Sequence, residues 1–235
     1  MNTNPLTRIA AAVFLGATCG LLPGCALAPS SAPTQIEQFE SHLQATPGGL
    51  LIAESIEAQG GLEKWLDEEV LEFRWIYHMS DRGPKAVVNT LQRVDLHSRI
   101  AKHEASDSDI VFGWNGTDAW IHPADASFTP PPRFWALTPF YFVGVPFVFA
   151  DLDANFELLD APLPFEGTSY DQVKVTFNQS AGDSPDDYYI VLLDPETRLV
   201  AGMRYIVTNQ LVYPDAPAAE KLLTMEGFQA VGGLL

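Results

Sequence analysis

One thiol in this chain is placed where it could carry chemistry. Cys25 ends the stretch Leu22-Pro23-Gly24-Cys25, directly after an apolar run over residues 9–22 that holds no charge. A leucine, a small residue and a cysteine in that register form the pattern of a bacterial lipobox. Cleavage after Gly24 would leave the Cys25 thiol at a new N-terminus, where it could take acyl chains. Residues 1–8 supply a short polar start with a single positive charge, Arg8, and the apolar run is too short to span a bilayer comfortably. Residues 1–24 are therefore predicted to be a signal peptide and Cys25 the lipidated residue; an ordinary signal with a chance cysteine is the competing reading. The second cysteine, Cys19, lies within the signal, so the folded part has no disulfide and no thiol nucleophile.

The histidines and carboxylates make a weaker case for chemistry. His78, His97, His103 and His122 fall on or near predicted strands, and none belongs to a His-Glu-x-x-His motif. His97 and His103 share a strand face only if no turn intervenes, and Ser98 follows His97 at what reads as a turn. Gly-x-Ser-x-Gly, a phosphate loop and Gly-x-Gly-x-x-Gly are absent. The acidic stretches at 107–109 and 183–187 lack the twelve-residue calcium-loop pattern. Asn115-Gly116-Thr117 and Asn178-Gln179-Ser180 match the glycosylation pattern, which carries little weight in a bacterial lipoprotein. The sequence thus predicts no enzyme, no cofactor and no metal site.

What it does hold in quantity is aromatic side chains, and the elements that must position them follow from periodicity. Residues 26–34, rich in Ala, Pro and Ser, read as a flexible tether. Residues 35–43 suit a short helix that Pro47-Gly48-Gly49 breaks; Ile52, Ile56, Leu62 and Leu66 then keep helical spacing across Gly60-Gly61, predicting a helix, a glycine break and one more turn carrying Trp65. From Val70 the period becomes two. Leu71, Phe73, Trp75, Tyr77 and Met79 alternate with Glu72, Arg74, Ile76 and His78, a half-buried strand with one aromatic face. Asp81-Arg82-Gly83-Pro84 reads as a turn, and Ala86, Val88, Thr90 and Val94 share a face of the next strand. Strands are predicted at 98–104 and 109–114, then 117–122 after a two-residue Asn115-Gly116 hairpin turn.

Regularity stops at Pro130-Pro131-Pro132. Residues 130–149 hold Phe134, Trp135, Phe140, Tyr141, Phe142, Phe147 and Phe149, interrupted by Pro139, Gly144 and Pro146, too broken for a transmembrane helix. This segment reads either as a lid or mouth over a cavity or as a proline-rich loop packed as ordinary core. Strands resume at 170–177, 188–193 and 199–207, the last two joined by a tight turn over 194–198, and a final strand covers 222–229. Such a series argues for one large antiparallel sheet covered by the N-terminal helix and the aromatic segment.

Length and charge limit the choices. The 235 residues, less the signal and tether, make a single domain over 35–235, and 47% apolar residues suffice for a sizeable core. The formal net charge is -17, and loss of the signal, whose one charged side chain is Arg8, makes it more negative still. That surface excludes nucleic acid, whose binding rests on Lys and Arg contacts to phosphate, and it repels anionic lipid head groups.

In order, these elements resemble the LolA/LolB-like superfamily of bacterial periplasmic lipoprotein and lipid carriers. The shared features are the N-terminal helix, Gly60-Gly61 before Trp65, the antiparallel strands with a hydrophobic insertion near their middle, and the closing phrase Glu226-Gly227-Phe228-Gln229-Ala230-Val231-Gly232-Gly233. The resemblance covers roughly residue 50 onward. It implies an α+β fold: a curved antiparallel sheet, an incomplete β-barrel, with an N-terminal helix and a helical or loop lid over an apolar cavity. This chain stops at Leu235 where the family pattern has a last strand, so a C-terminally incomplete sequence or one exposed sheet edge is expected. The implied function is binding of a lipid or of lipoprotein acyl chains by a membrane-anchored periplasmic protein, with Ala26 favouring the outer membrane over the inner. Phe73, Trp75, Tyr77, Trp114 and Trp120 would line the trough, and the aromatic residues of 134–149 would form the lid. The alternative is an interaction module with a filled core, whose apolar loop docks on a protein or dips into a membrane.

Overall fold

The structure, a computed structural model, describes residues 33–78, 87–165, 167–178, 183–184, 186–215 and 219–235. Cys25, the signal, most of the tether, Met79, Ala86, the predicted turn at Asp81-Arg82-Gly83-Pro84 and two residues of Asn178-Gln179-Ser180 lie outside them.

The described residues begin with three helices. Helix α1 (Gln35–Leu43) starts at a reciprocal cap, with the Thr34 amide donating to Glu37 Oε2 at 2.6 Å and the Glu37 amide donating to Thr34 Oγ1 at 3.3 Å. Helix α2 (Pro47–Ala58) includes the Pro-Gly-Gly expected only as a break. Pro47 occupies the first turn, where its missing N–H costs nothing, and Thr46 caps Gly49. The glycine pair ends α2 as predicted: Gly60 and Gly61 have φ of 121° and 95°, backbone open to residues without a Cβ, and α3 (Leu62–Asp67) carries buried Trp65.

Among the described residues eleven strands follow, in two antiparallel sheets rather than the single large sheet expected. The first runs in chain order: β1 (Val70–His78), β2 (Val87–Asp95), β3 (Ala101–Ala105), β4 (Val111–Trp114) and β5 (Ala119–His122). Its register pairs Trp75 with Thr90, Phe73 with Gln92, and Gln92 with His103. One face therefore carries Phe73, Trp75, Tyr77, Val88, Thr90, Gln92, Val94, Ala101, His103, Phe112 and Trp114, as the period of two required. The β4–β5 loop is four residues long, with the Asn115 side chain accepting from the amides of Thr117 and Asp118.

Between the sheets the aromatic segment folds into α4 (Pro132–Trp135), α5 (Thr138–Val143) and a 3₁₀ turn at Phe147–Phe149. The second sheet has the order β11-β10-β9-β8-β6, made by β6 (Ala154–Leu158), β8 (Thr168–Phe177), β9 (Tyr188–Leu193), β10 (Val200–Tyr205) and β11 (Lys221–Thr224); β7 (Leu163–Phe165) pairs only with β8. Strands β6 and β7 fall where no regular structure was expected.

A shared core explains the layering. Val94 and Ala101 of the first sheet, Val173, Val191, Leu193 and Met203 of the second, Ile52 and Ile56 of α2 and Phe140, Phe147 and Phe149 form one buried cluster. The segment that reads as irregular in sequence is thus the filling between the two sheets. Among the described residues no helix is long and apolar enough to cross a membrane.

Candidate functional site

The aromatic insertion divides into an interior half and a half that lines a cavity. Trp135, Phe140, Phe147 and Phe149 are at most 4% exposed. Trp65 of α3 stacks on Phe147, ring centroids 4.9 Å apart and planes within 10°, and on Phe140 at 6.3 Å. Phe149 packs on Tyr189, and Trp135 on Tyr77 at 5.3 Å. These four rings are enclosed by the chain's own side chains, as in the packed-loop alternative. The lining half is Phe134, Tyr141 and Phe142. Pro139, Gly144 and Pro146 cut the segment into very short helices, so successive rings point to different sides.

The cavity holds about 490 Å³ between α4–α5 and strands β4, β9 and β10. Seven rings line it: Trp114, Phe134, Tyr141, Phe142, Phe177, Tyr189 and Tyr205. Phe142 bridges the two sheets, lying 6.2 Å from Trp75 of β1 and 5.0 Å from Tyr205 of β10. Tyr205 is stacked on Tyr189 at 6.5 Å, and Tyr189 meets Phe177 edge-on at 6.3 Å. Register explains the alignment: Tyr205 pairs with Tyr189, which pairs with Val175, so all three share the inner face. Two other hollows, one beside Pro47 and Leu158 and one between α1 and α2, have no aromatic lining.

The polar lining is acidic. Among the described residues, Asp151, Asp153, Asp183 and Asp187 line the cavity with one cation, Arg133. The Arg133 guanidinium lies 3.9 Å over the Trp114 ring and donates to Asp183 Oδ1 at 2.6 Å. Asp187 accepts from the Thr208 amide and hydroxyl, and burial, with help from neighbouring Asp186, still pushes its carboxyl above the usual range. Burial likewise raises the hydroxyl pKa values of Tyr141 and Tyr189, with Asp151 and Asp187 respectively adding to the effect, so both stay neutral.

Of the expected trough residues, Trp114 lines the cavity. Trp75 and Tyr77 back it through Phe142 and Trp135, and Phe73 packs into the main core. Trp120 is a correction. It pairs with Gly113, which pairs with Lys102, and so sits on the face opposite Trp114. There its indole edge covers Gly113, lying 3.0 Å from where a Cβ would stand. Sequence reasoning did not single out Phe177, Tyr189, Tyr205, Arg133, Asp151 or Asp153, and it met Asp183 and Asp187 only as the ends of an acidic stretch without a calcium-loop pattern. The period of two along β8–β10 was the available signal for the three rings.

A second polar group is buried under α4. His103, Thr90 and Gln92 are fully buried on the inner face of the first sheet. His103 Nε2 donates to the Ala136 carbonyl at 2.8 Å, and burial pulls its pKa down to about 4. Among the described residues no group of three or more His, Cys, Asp or Glu side chains is placed to hold a metal ion. No protein-family model matches the chain, and no curated protein matches it.

Proposed function

We propose that this protein binds a hydrophobic ligand, a lipid or the acyl chains of a lipoprotein, as a lipid-anchored carrier or receptor in the bacterial envelope. The observation that carries the reading is the ring-lined cavity between α5 and the second sheet. Its volume falls within the roughly 300–1,000 Å³ of small-molecule sites. Each methylene moved there from water contributes about 0.8 kcal/mol, so an acyl chain needs no polar recognition to be held. The contacts of Phe142 with both sheets support taking those sheets as the two walls of a curved, incomplete barrel. Phe134, Tyr141 and Phe142 are its mouth. The lipobox at Cys25 supports an anchor and a periplasmic location, with Ala26 favouring the outer membrane.

The test is organic extraction of the full chain purified from its native membrane, beside Leu137→Trp, which places an indole in the cavity. Lipid is expected from the parent and less than about half as much from the variant, with unchanged circular dichroism. Equal lipid in both, or none in either, would sink the carrier reading. Cys25→Ser should shift the chain from the membrane pellet to the supernatant after fractionation; retention in the pellet would remove the anchor.

The second reading, an interaction module with a filled core, draws support from the enclosure of Trp135, Phe140, Phe147 and Phe149. It predicts no extractable lipid.

A further inference from the structure

Building on the proposed hydrophobic site, we infer that the amphiphile it takes carries a positively charged head group, a protonated amine or a quaternary ammonium. Two separate features of the cavity point there. The first is the composition of its wall. Among the described residues four aspartates line the cavity with one arginine, and that arginine is already paired with Asp183, so three of the carboxylates have no cationic side chain among the described lining residues. They line the same cavity as Tyr141, Tyr189 and Tyr205, whose neutral rings carry negative π-density on their faces. An aromatic wall with adjacent carboxylates is the arrangement that recognises an organic cation, the rings replacing its water and the carboxylates balancing its charge.

The second feature is that the cavity already seats one organic cation, its own. The Arg133 guanidinium lies over the Trp114 ring and donates to Asp183. Ring and carboxylate together thus hold a positive group in this wall, and Tyr189 and Asp187 line the same cavity. Asp187 sits in a desolvated place with its charge incompletely offset by Thr208. A cation arriving there would gain more than at an exposed carboxylate. An anionic head group would meet three aspartates that Arg133 does not pair.

The experiment compares three probes with the same twelve-carbon tail below their micelle concentrations: dodecyltrimethylammonium, dodecyl maltoside and dodecyl sulfate. Binding to the full chain is followed by titration calorimetry and by quenching of tryptophan fluorescence. The cationic probe is expected to bind at least about tenfold tighter than the neutral one, and the sulfate weakest. In Asp151→Asn/Asp153→Asn each new amide oxygen can still accept the hydrogen bond its carboxylate accepted, from the Asp153 amide and the Asn178 side chain respectively. That variant should lose most of the cationic preference and keep its affinity for maltoside. Asp107→Asn/Asp109→Asn, at the far end of β4, makes the same change in overall charge and should alter nothing. Equal binding of ammonium and maltoside, tighter binding of sulfate, or equal loss in the two double variants would overturn the inference while leaving a hydrophobic site in place. No binding of any probe would overturn both.

Discussion

At the scale of single residues, His103 shows what the interior demands. Its ring is fully buried against Phe112 at 4.6 Å, one nitrogen donates to Ala136, and Nδ1 has no partner. A proton on Nδ1 would put a charge in a buried layer whose other polar side chains, Thr90 and Gln92, are neutral. The unfolded histidine titrates near 6.5 and the folded one near 4. Between those values the unfolded chain binds a proton that the folded chain refuses, so stability is full above pH ~6.5 and falls as the pH drops. Urea unfolding at pH 7 and pH 4 should differ by about 3 kcal/mol from this group alone. His103→Gln keeps a donor for Ala136 and should lose that part of the difference; an unchanged pH dependence would show that the ring is solvated. Carboxyls held low by local hydrogen bonds, Glu37 by Thr34, Asp95 by Ser98 and Asp194 by Thr197, belong to lower pH and act equally in both proteins. The strand carrying His103 was legible in sequence, but its burial was not, because Lys102, His103 and Glu104 read as a polar run.

At the scale of elements, sequence was informative wherever one periodicity held for two turns or more. The α1 span, the α2–α3 break and the alternation of β1 all follow from spacing alone. Trp120 was also readable: any even-length loop after Trp114 puts Ala119 and Ile121, not Trp120, on the Trp114 side. Strand β6 was obscured because its buried residues, Ala154 and Phe156, follow directly on the aspartates and the proline-broken segment. The glycine break has a tertiary reason that spacing could not show. The C-terminal residues pass over it, the Leu235 amide donates to the Gln59 carbonyl at 2.8 Å, and a Cβ on Gly60 would strike the Gly233 carbonyl. Gly60→Ala should therefore cost about 3 kcal/mol, combining left-handed backbone with a backbone clash. Gly116→Ala, with φ of 96° and only an Ile100 side-chain carbon near at 4.0 Å, should cost about 1 kcal/mol. Equal shifts of the two urea midpoints would mean the C-terminal segment does not press on Gly60.

At the scale of the whole molecule, the division into two sheets was beyond the reach of periodicity. Strand β5 ends in His122, β6 begins at Ala154, and no ladder joins them. Whether two runs of strands share hydrogen bonds or only side chains leaves no mark on either run. Here the intervening segment decides it, because its rings fill the space. The seam is therefore apolar, with Phe142 touching Trp75 on one side and Tyr205 on the other. Apolar contact weakens on cooling, whereas backbone ladders have no such loss. The molecule should accordingly be cold-labile at its middle: near freezing, the two walls loosen against each other while each keeps its strands. A guest in the cleft would then be held least firmly at the lowest temperatures.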